Sequence, residues 1–197
     1  MTDSDVVEMR RTQILEAAAS LLEQHGYAGL SIRRLATEVG MSVGLMYHYF
    51  ADKHAVFDAL MQNEQRELTE FLRDAPRTGG VDGLLRDLVP HTNRQWRRAG
   101  RMAAVWRVER TENPHEPHDQ LLRIARAQFA ALREALAEAA AASGRRLRAE
   151  PEIIPAVWAG LMGLADLTVH GWVHDIDYDA LVDLTVTGLS RQILEVE

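Results

Sequence analysis

The chain has no cysteine. That excludes disulfides, thiolate metal centres and cysteine nucleophiles in one step, and fits a reducing compartment. Lysine is nearly absent as well: Lys53 is the only one among 22 basic residues, the rest being arginine. No long apolar run is present, since the stretch over residues 155–165 falls far short of the ~20 residues that cross a bilayer, so no membrane partner is expected. The opening MTDSDVVEM is acidic and lacks the basic and apolar segments of an export leader, so a cytoplasmic location is expected. Strand signals are missing, because no run of four to eight β-branched and aromatic residues alternates with period two between turn residues. There is no internal repeat. Enzyme signatures are missing too: there is no G-x-S-x-G, no phosphate-cradling glycine loop and no H-E-x-x-H. The expectation is a non-enzyme with no cofactor.

What is present is an ordinary globular composition over 197 residues, with 47% hydrophobic and 26% charged side chains. That is enough for one domain, or for a small module joined to a larger one. The formal charge is −7, but it is unevenly spread. Residues 1–9 carry three acids and no base, and residues 10–54 carry five bases (Arg10, Arg11, Arg33, Arg34, Lys53) against four acids. The acidity therefore belongs mainly to the body of the chain, and a small cationic face near its start remains available.

Helical periodicity runs throughout, so the fold class is all-α. The first helix is expected over 10–25, with Ile14, Ala18, Leu21 and Leu22 inward and Gly26 as its left-handed stop. Ser31 is placed to cap a short helix over 32–39, and Ser42 to cap another over 43–49 after the connection Gly40-Met41-Ser42. This is helix-turn-helix spacing. Leu45, Met46 and Tyr49 are its candidate packing positions, Phe50 is expected in the core, and Asp52 is placed to cap a long fourth helix ending near Pro76. Further helices are expected over 81–98 (bent near Pro90), 101–112, 118–142, 153–173 and 178–195.

The order Leu30-Ser31-Ile32-Arg33-Arg34-Leu35-Ala36, then Val39-Gly40-Met41-Ser42-Val43-Gly44-Leu45-Met46-Tyr47-His48-Tyr49-Phe50, then Asp52-Lys53, resembles the DNA-binding domain of the TetR family of transcriptional repressors. The likeness covers residues 10–57 and implies a three-helix DNA-binding domain over 1–54, followed by a larger helical effector-binding and dimerisation domain over 55–197. The residues suit that role on physical grounds. A recognition helix must bring its backbone close to base edges, which small or apolar Val43, Gly44 and Leu45 permit. Ser42 adds a hydroxyl beside free backbone N–H groups, an arrangement suited to a phosphate. Tyr47 and His48 sit one turn on, and Lys53 opens the next helix. Ser31 and Arg33 complete the expected DNA-facing set from the supporting helix. The alternative for residues 31–53 is an αα-hairpin inside a bundle.

By the same resemblance, the later helices form a pocket for a small-molecule effector, and the last two pair with those of a second subunit. Trp96, Trp106, Phe129, Trp158, Met162 and Asp166 are the ligand candidates, with Trp172 as further aromatic bulk, although each taken singly also fits a core. Tryptophan faces beside Asp166 or Glu109 suit a cationic ligand. For the pairing, Ala156, Gly160 and Gly163 form a small-residue strip, and Leu181, Leu184, Thr185, Gly188, Leu189 and Gln192 share a face of the last helix. Packing within the chain is the other use of both stripes. Two-fold pairing suits half-sites about one DNA turn apart. The implied function is a repressor that binds a pseudo-palindromic operator in double-stranded DNA as a homodimer and is released by its effector. A helical scaffold that does not bind DNA and a metal-dependent enzyme are the rivals. Two further patterns are weighed against solvated helix faces: Asp166, His170 and His174 at every fourth residue for a metal, and Arg94, Arg97, Arg98 and Arg101 for an anion. No metal is expected.

Overall fold

The computed structural model describes residues 3–100, 118–172 and 174–195. Eight α-helices account for most of them: α1 (Asp3–His25), α2 (Ile32–Glu38), α3 (Val43–Tyr49), α4 (Lys53–Asp74), α5 (Gly80–Gln95), α6 (His118–Ala142), α7 (Ile153–Val169) and α8 (Tyr178–Ile193). A 3-10 turn (Tyr27–Gly29) follows α1, and a π turn (Trp96–Gly100) extends α5. No strand occurs among the described residues, apart from an isolated bridge between Leu147 and Leu194. The chain divides into two compact units. One holds residues 3–64 with 97–100, and the other holds Gln65–Trp96 with the described residues from 118 onward. The expected helix over 101–112 lies outside the described residues.

In the first unit, α1 buries Ile14, Ala18, Leu21 and Leu22 as expected and adds Leu15 and Ala19. It begins at Asp3 rather than at residue 10. Residues 5–9 of the added turns bury nothing, so they left no apolar stripe to read. Their acidic residues suit the positive end of the helix dipole. Gly26 stops the helix at φ +63, with its N–H donating to the Leu22 carbonyl at 2.9 Å. The α2–α3 turn is built from backbone and hydroxyl bonds. The Arg34 N–H donates to Ser31 Oγ at 3.2 Å, opening α2. Gly40, at φ +65, closes α2 with the Met41 N–H donating to the Ala36 carbonyl at 2.8 Å. The Leu45 N–H then donates to Ser42 Oγ at 3.2 Å, opening α3. Asp52 Oδ1 accepts from the Ala55 N–H at 2.8 Å at the start of α4.

In the second unit α5 packs against α6, α7 and α8. Its Leu84, Leu85 and Leu88 are fully buried and meet a core that includes Leu136, Val157, Leu161 and Val186. Burial of each such leucine contributes roughly 1.5–3 kcal/mol. Pro90 lies inside α5, which continues past it to Gln95. The expected end of that helix at 98 falls instead within the π turn. The helix expected over 153–173 ends at Val169, because Gly171 takes φ +67 and reverses the chain. The last helix ends at Ile193, where Leu194 turns extended to pair with Leu147.

His91 on α5 stacks on Phe71 of α4, with ring centroids 3.9 Å apart. Burial, and then the Arg94 guanidinium whose Nη2 lies 3.1 Å from Nδ1, hold its imidazole below the ordinary value. Glu67 opposes this only in part. The unfolded chain therefore takes up a proton there more readily than the folded one, and stability falls as pH drops below about 6.5. Urea unfolding at pH 7.5 and 5.5 should show a smaller acid-induced loss for His91→Phe than for the natural chain.

Candidate nucleic-acid interface

Two residues anchor α3. Met46 is fully buried and Phe50, just past the helix, is nearly so. Everything else on the helix faces outward or is half-exposed. Val43 is 38% exposed, Leu45 44% and Tyr47 56%. Gly44 and His48 are exposed beside them, and a Cβ built on Gly44 would meet nothing within 4 Å. Leu45, expected among the packing positions, is therefore surface, while Tyr49 is half-buried. At 100° per residue, the single buried position on a seven-residue helix leaves residues 43, 44, 45, 47 and 48 to spread over the remaining arc. Three large apolar or aromatic side chains held out in water on one short helix mark a contact surface.

The first unit also carries cations. Arg33 is exposed on α2, Lys53 is half-buried at the start of α4, and Ser31 and Ser42 are exposed caps whose hydroxyls still have lone pairs to offer. Arg11, which the sequence reading did not single out, lies over the Phe50 ring at 4.6 Å from its centroid. This cation–π contact ties α1 to the anchor of α3. Nothing in the local sequence announces it, because the partners are 39 positions apart.

The remaining expected site residues lie in the second unit or outside the described residues. The Trp96 indole N–H donates to Asp166 Oδ1 at 3.0 Å, and His170 Nδ1 lies 2.7 Å from the same oxygen. Phe129 and Trp158 meet edge to face with centroids 6.3 Å apart, and Met162 is half-buried. Trp106 and Glu109 lie outside the described residues. Trp172, past the end of α7, is 72% exposed and is not part of a buried aromatic group. A groove of about 320 Å³ lies between α4 and α6, among Leu72, Arg73, Arg77, Ala135 and Glu138; none of the expected ligand residues lines it. The idea that Asp166, His170 and His174 share one helical face is corrected by the end of α7 at Val169. His174 follows the turn and pairs with Asp175. The arginine cluster also separates: Arg94 bonds His91, Arg97 is exposed, Arg98 bonds two carboxylates, and Arg101 lies outside the described residues.

On the two expected pairing helices, Ala156 and Gly163 are exposed, whereas Gly160 has Leu189 against it. A Cβ at Gly160 would stand 3.1 Å from the Leu189 methyls. That pair works within the chain, letting α7 and α8 approach closely. Leu181 and Thr185 are half-buried, and Leu184, Gly188 and Gln192 are exposed.

Residues 14–60 match the family described as bacterial regulatory proteins, tetR family. This segment is a TetR-family domain. It contains the whole of α2 and α3 with both serine caps, and therefore the exposed face just described. The HTH-type transcriptional repressor AcnR of Corynebacterium diphtheriae is 35% identical over 88 residues, 45% of this chain and 44% of that protein. The HTH-type transcriptional regulator BetI of Paraburkholderia xenovorans is 29% identical over 119 residues, 59% and 60% of the two chains. The chain thus spans about half the length of the curated relatives it matches. Solved structures extend the likeness of fold beyond the TetR-family domain. A TetR transcription regulator from Haloarcula marismortui superposes with a TM-score of 0.67 at 16% identity, over 95% of this chain and 100% of that one. The fatty acid degradation regulator FadR from Bacillus halodurans gives 0.65 at 21% identity, over 91% and 94%.

Because Ser42 Oγ is the acceptor that opens α3, Ser42→Ala should cost about 1 kcal/mol in chemical denaturation. Amide exchange should rise in α3 while the α1 core keeps its protection. Ser42→Thr should largely preserve both.

Proposed function

We propose that the protein is a homodimeric, ligand-responsive transcriptional repressor that binds a pseudo-palindromic operator in double-stranded DNA, in the cytoplasm. The observation that carries this reading is the capped α3 within the TetR-family domain, with Val43, Gly44, Leu45, Tyr47 and His48 turned to solvent. A helix inserted in a major groove needs close backbone approach at its N-terminal end and polar reach further along, and this face has both in that order. Ser31, Arg33, Ser42, Tyr47 and Lys53 serve as phosphate and flank contacts, and Val43, Gly44 and Leu45 meet the bases. The net charge of −7 does not oppose the assignment, because the excess acid lies mainly outside residues 10–54. The relatives' names place them among regulators rather than enzymes.

Selection from a random pool of duplexes, at low and at moderate salt, tests the reading. It should enrich a pseudo-palindrome whose affinity falls steeply with salt. Tyr47→Ala and Lys53→Ala should weaken all duplexes alike, whereas Val43→Ala and Leu45→Ala should alter which sequence is preferred. No enrichment and no salt dependence would leave the scaffold reading in its place.

The second subunit docks on the outer faces of α7 and α8, through Ala156, Gly163, Leu184, Gly188 and Gln192. Leu184 supports this assignment, being a large apolar side chain that is 74% exposed on α8. Leu184→Glu should shift sedimentation from dimer to monomer and weaken operator binding. An unchanged dimer would move the interface elsewhere. The effector is held near Trp96, Phe129, Trp158, Met162 and Asp166, where an apolar wall meets one carboxylate. Differential affinity for two conformations then releases the DNA, and a tenfold release needs only about 1.4 kcal/mol of coupling.

A further inference from the structure

We infer that Arg98 is a positioning residue of the DNA-binding unit, although it lies 38 positions beyond the TetR-family segment. The inference rests on the DNA-binding reading above and adds to it the group that holds the flanking helices in register. Within the first unit the Arg98 guanidinium bridges two carboxylates on different helices. Its Nε donates to Glu23 Oε1 of α1 at 2.7 Å, and its Nη1 to Glu64 Oε1 of α4 at 2.6 Å. Glu64 is only 7% exposed, one of the few buried polar residues described, and Arg98 itself is mostly covered. Burial works against the guanidinium charge, but the bonds to Glu23 and Glu64 outweigh it and hold its pKa above the ordinary value.

The chemistry requires an arginine. Two carboxylates brought together repel, and a buried one without a counter-ion is costly. A planar fork with several N–H donors can hold both at once, whereas a lysine ammonium lacks that fixed geometry. Such a pair is a weak source of net stability, because desolvation offsets much of its attraction. What it does well is select one arrangement. Glu23 stands three residues before Gly26, where the chain leaves α1 for α2, and α4 begins directly after α3. The clamp therefore joins the two helices that enter and leave the α2–α3 pair. Small displacements of a contact surface are expensive when it must match a groove, so the spacing of α1 and α4 governs how well α3 docks. Arg98 lies within the π turn Trp96–Gly100.

The test compares the full chain with Arg98→Gln, Arg98→Lys and the double change Arg98→Gln with Glu64→Gln, on the duplex enriched from the pool. Arg98→Gln should lower affinity on the order of tenfold, allowing for partial exposure of the clamp, while the slope of log K against log salt stays at the natural value. Arg98→Lys should fall between, and removing the buried carboxylate in the double change should restore part of the loss. Hydrogen exchange should rise in residues 20–26 and 60–64 only. Natural affinity in Arg98→Gln would overturn the proposal. So would a slope shallower by about one, which marks a direct phosphate contact, or exchange rising through the whole unit, which marks general loss of fold. If no duplex is enriched, the DNA-binding reading fails, and the exchange comparison still decides whether Arg98 sets the α1–α4 register.

Discussion

A seven-residue helix has almost no stability of its own in water, because too few hydrogen bonds form to offset the cost of nucleation. The outward face of α3 exists only because Met46 and Phe50 are held from behind and Ser42 closes its first turn. That constraint orders the rest of the first unit. The left-handed Gly40 lets α2 stop and α3 start within a few residues, and α1 supplies both packing and the Arg11 guanidinium over Phe50. Exposed valine, leucine and tyrosine would be poor choices on a helix that had to secure itself by its own burial. Here they are tolerated because the anchoring is done elsewhere.

Much of this was legible in the sequence, for a physical reason. Caps, glycine stops and apolar stripes are local features, and each leaves its mark within four residues. Ser31, Gly40, Ser42 and Asp52 were all found that way, as was the inward face of α1. Failures occurred where no local signal exists. Residues 5–9 at the start of α1 bury nothing, so periodicity could not report them. Leu45 is apolar yet 44% exposed, so its apolar character misleads a reading by periodicity. The turn after Val169 is a different case: Gly171 is a local stop, the expected helix over 153–173 ran through it, and Trp172 and His174 consequently fall outside the groups proposed for them.

The second unit shows the opposite balance. Its core around α5 follows from strong periodicity, but the chemistry attached to it depends on contacts between distant residues. Trp96 and Asp166 are 70 positions apart, and Gly160 has Leu189 of the same chain against it. A glycine in a stripe of small residues thus has two possible neighbours, and only coordinates tell which one is used.

Glu64 has a consequence for how such proteins recombine. A buried carboxylate whose counter-ion comes from residue 98 makes the first unit discontinuous along the chain. A crossover anywhere between positions 65 and 97 would separate acid from base. Any chimera joining this front portion to a foreign body must therefore inherit a guanidinium at the matching place, or lose the acid as well. Modularity here is a property of charge pairs, and the boundary drawn by sequence likeness falls short of it.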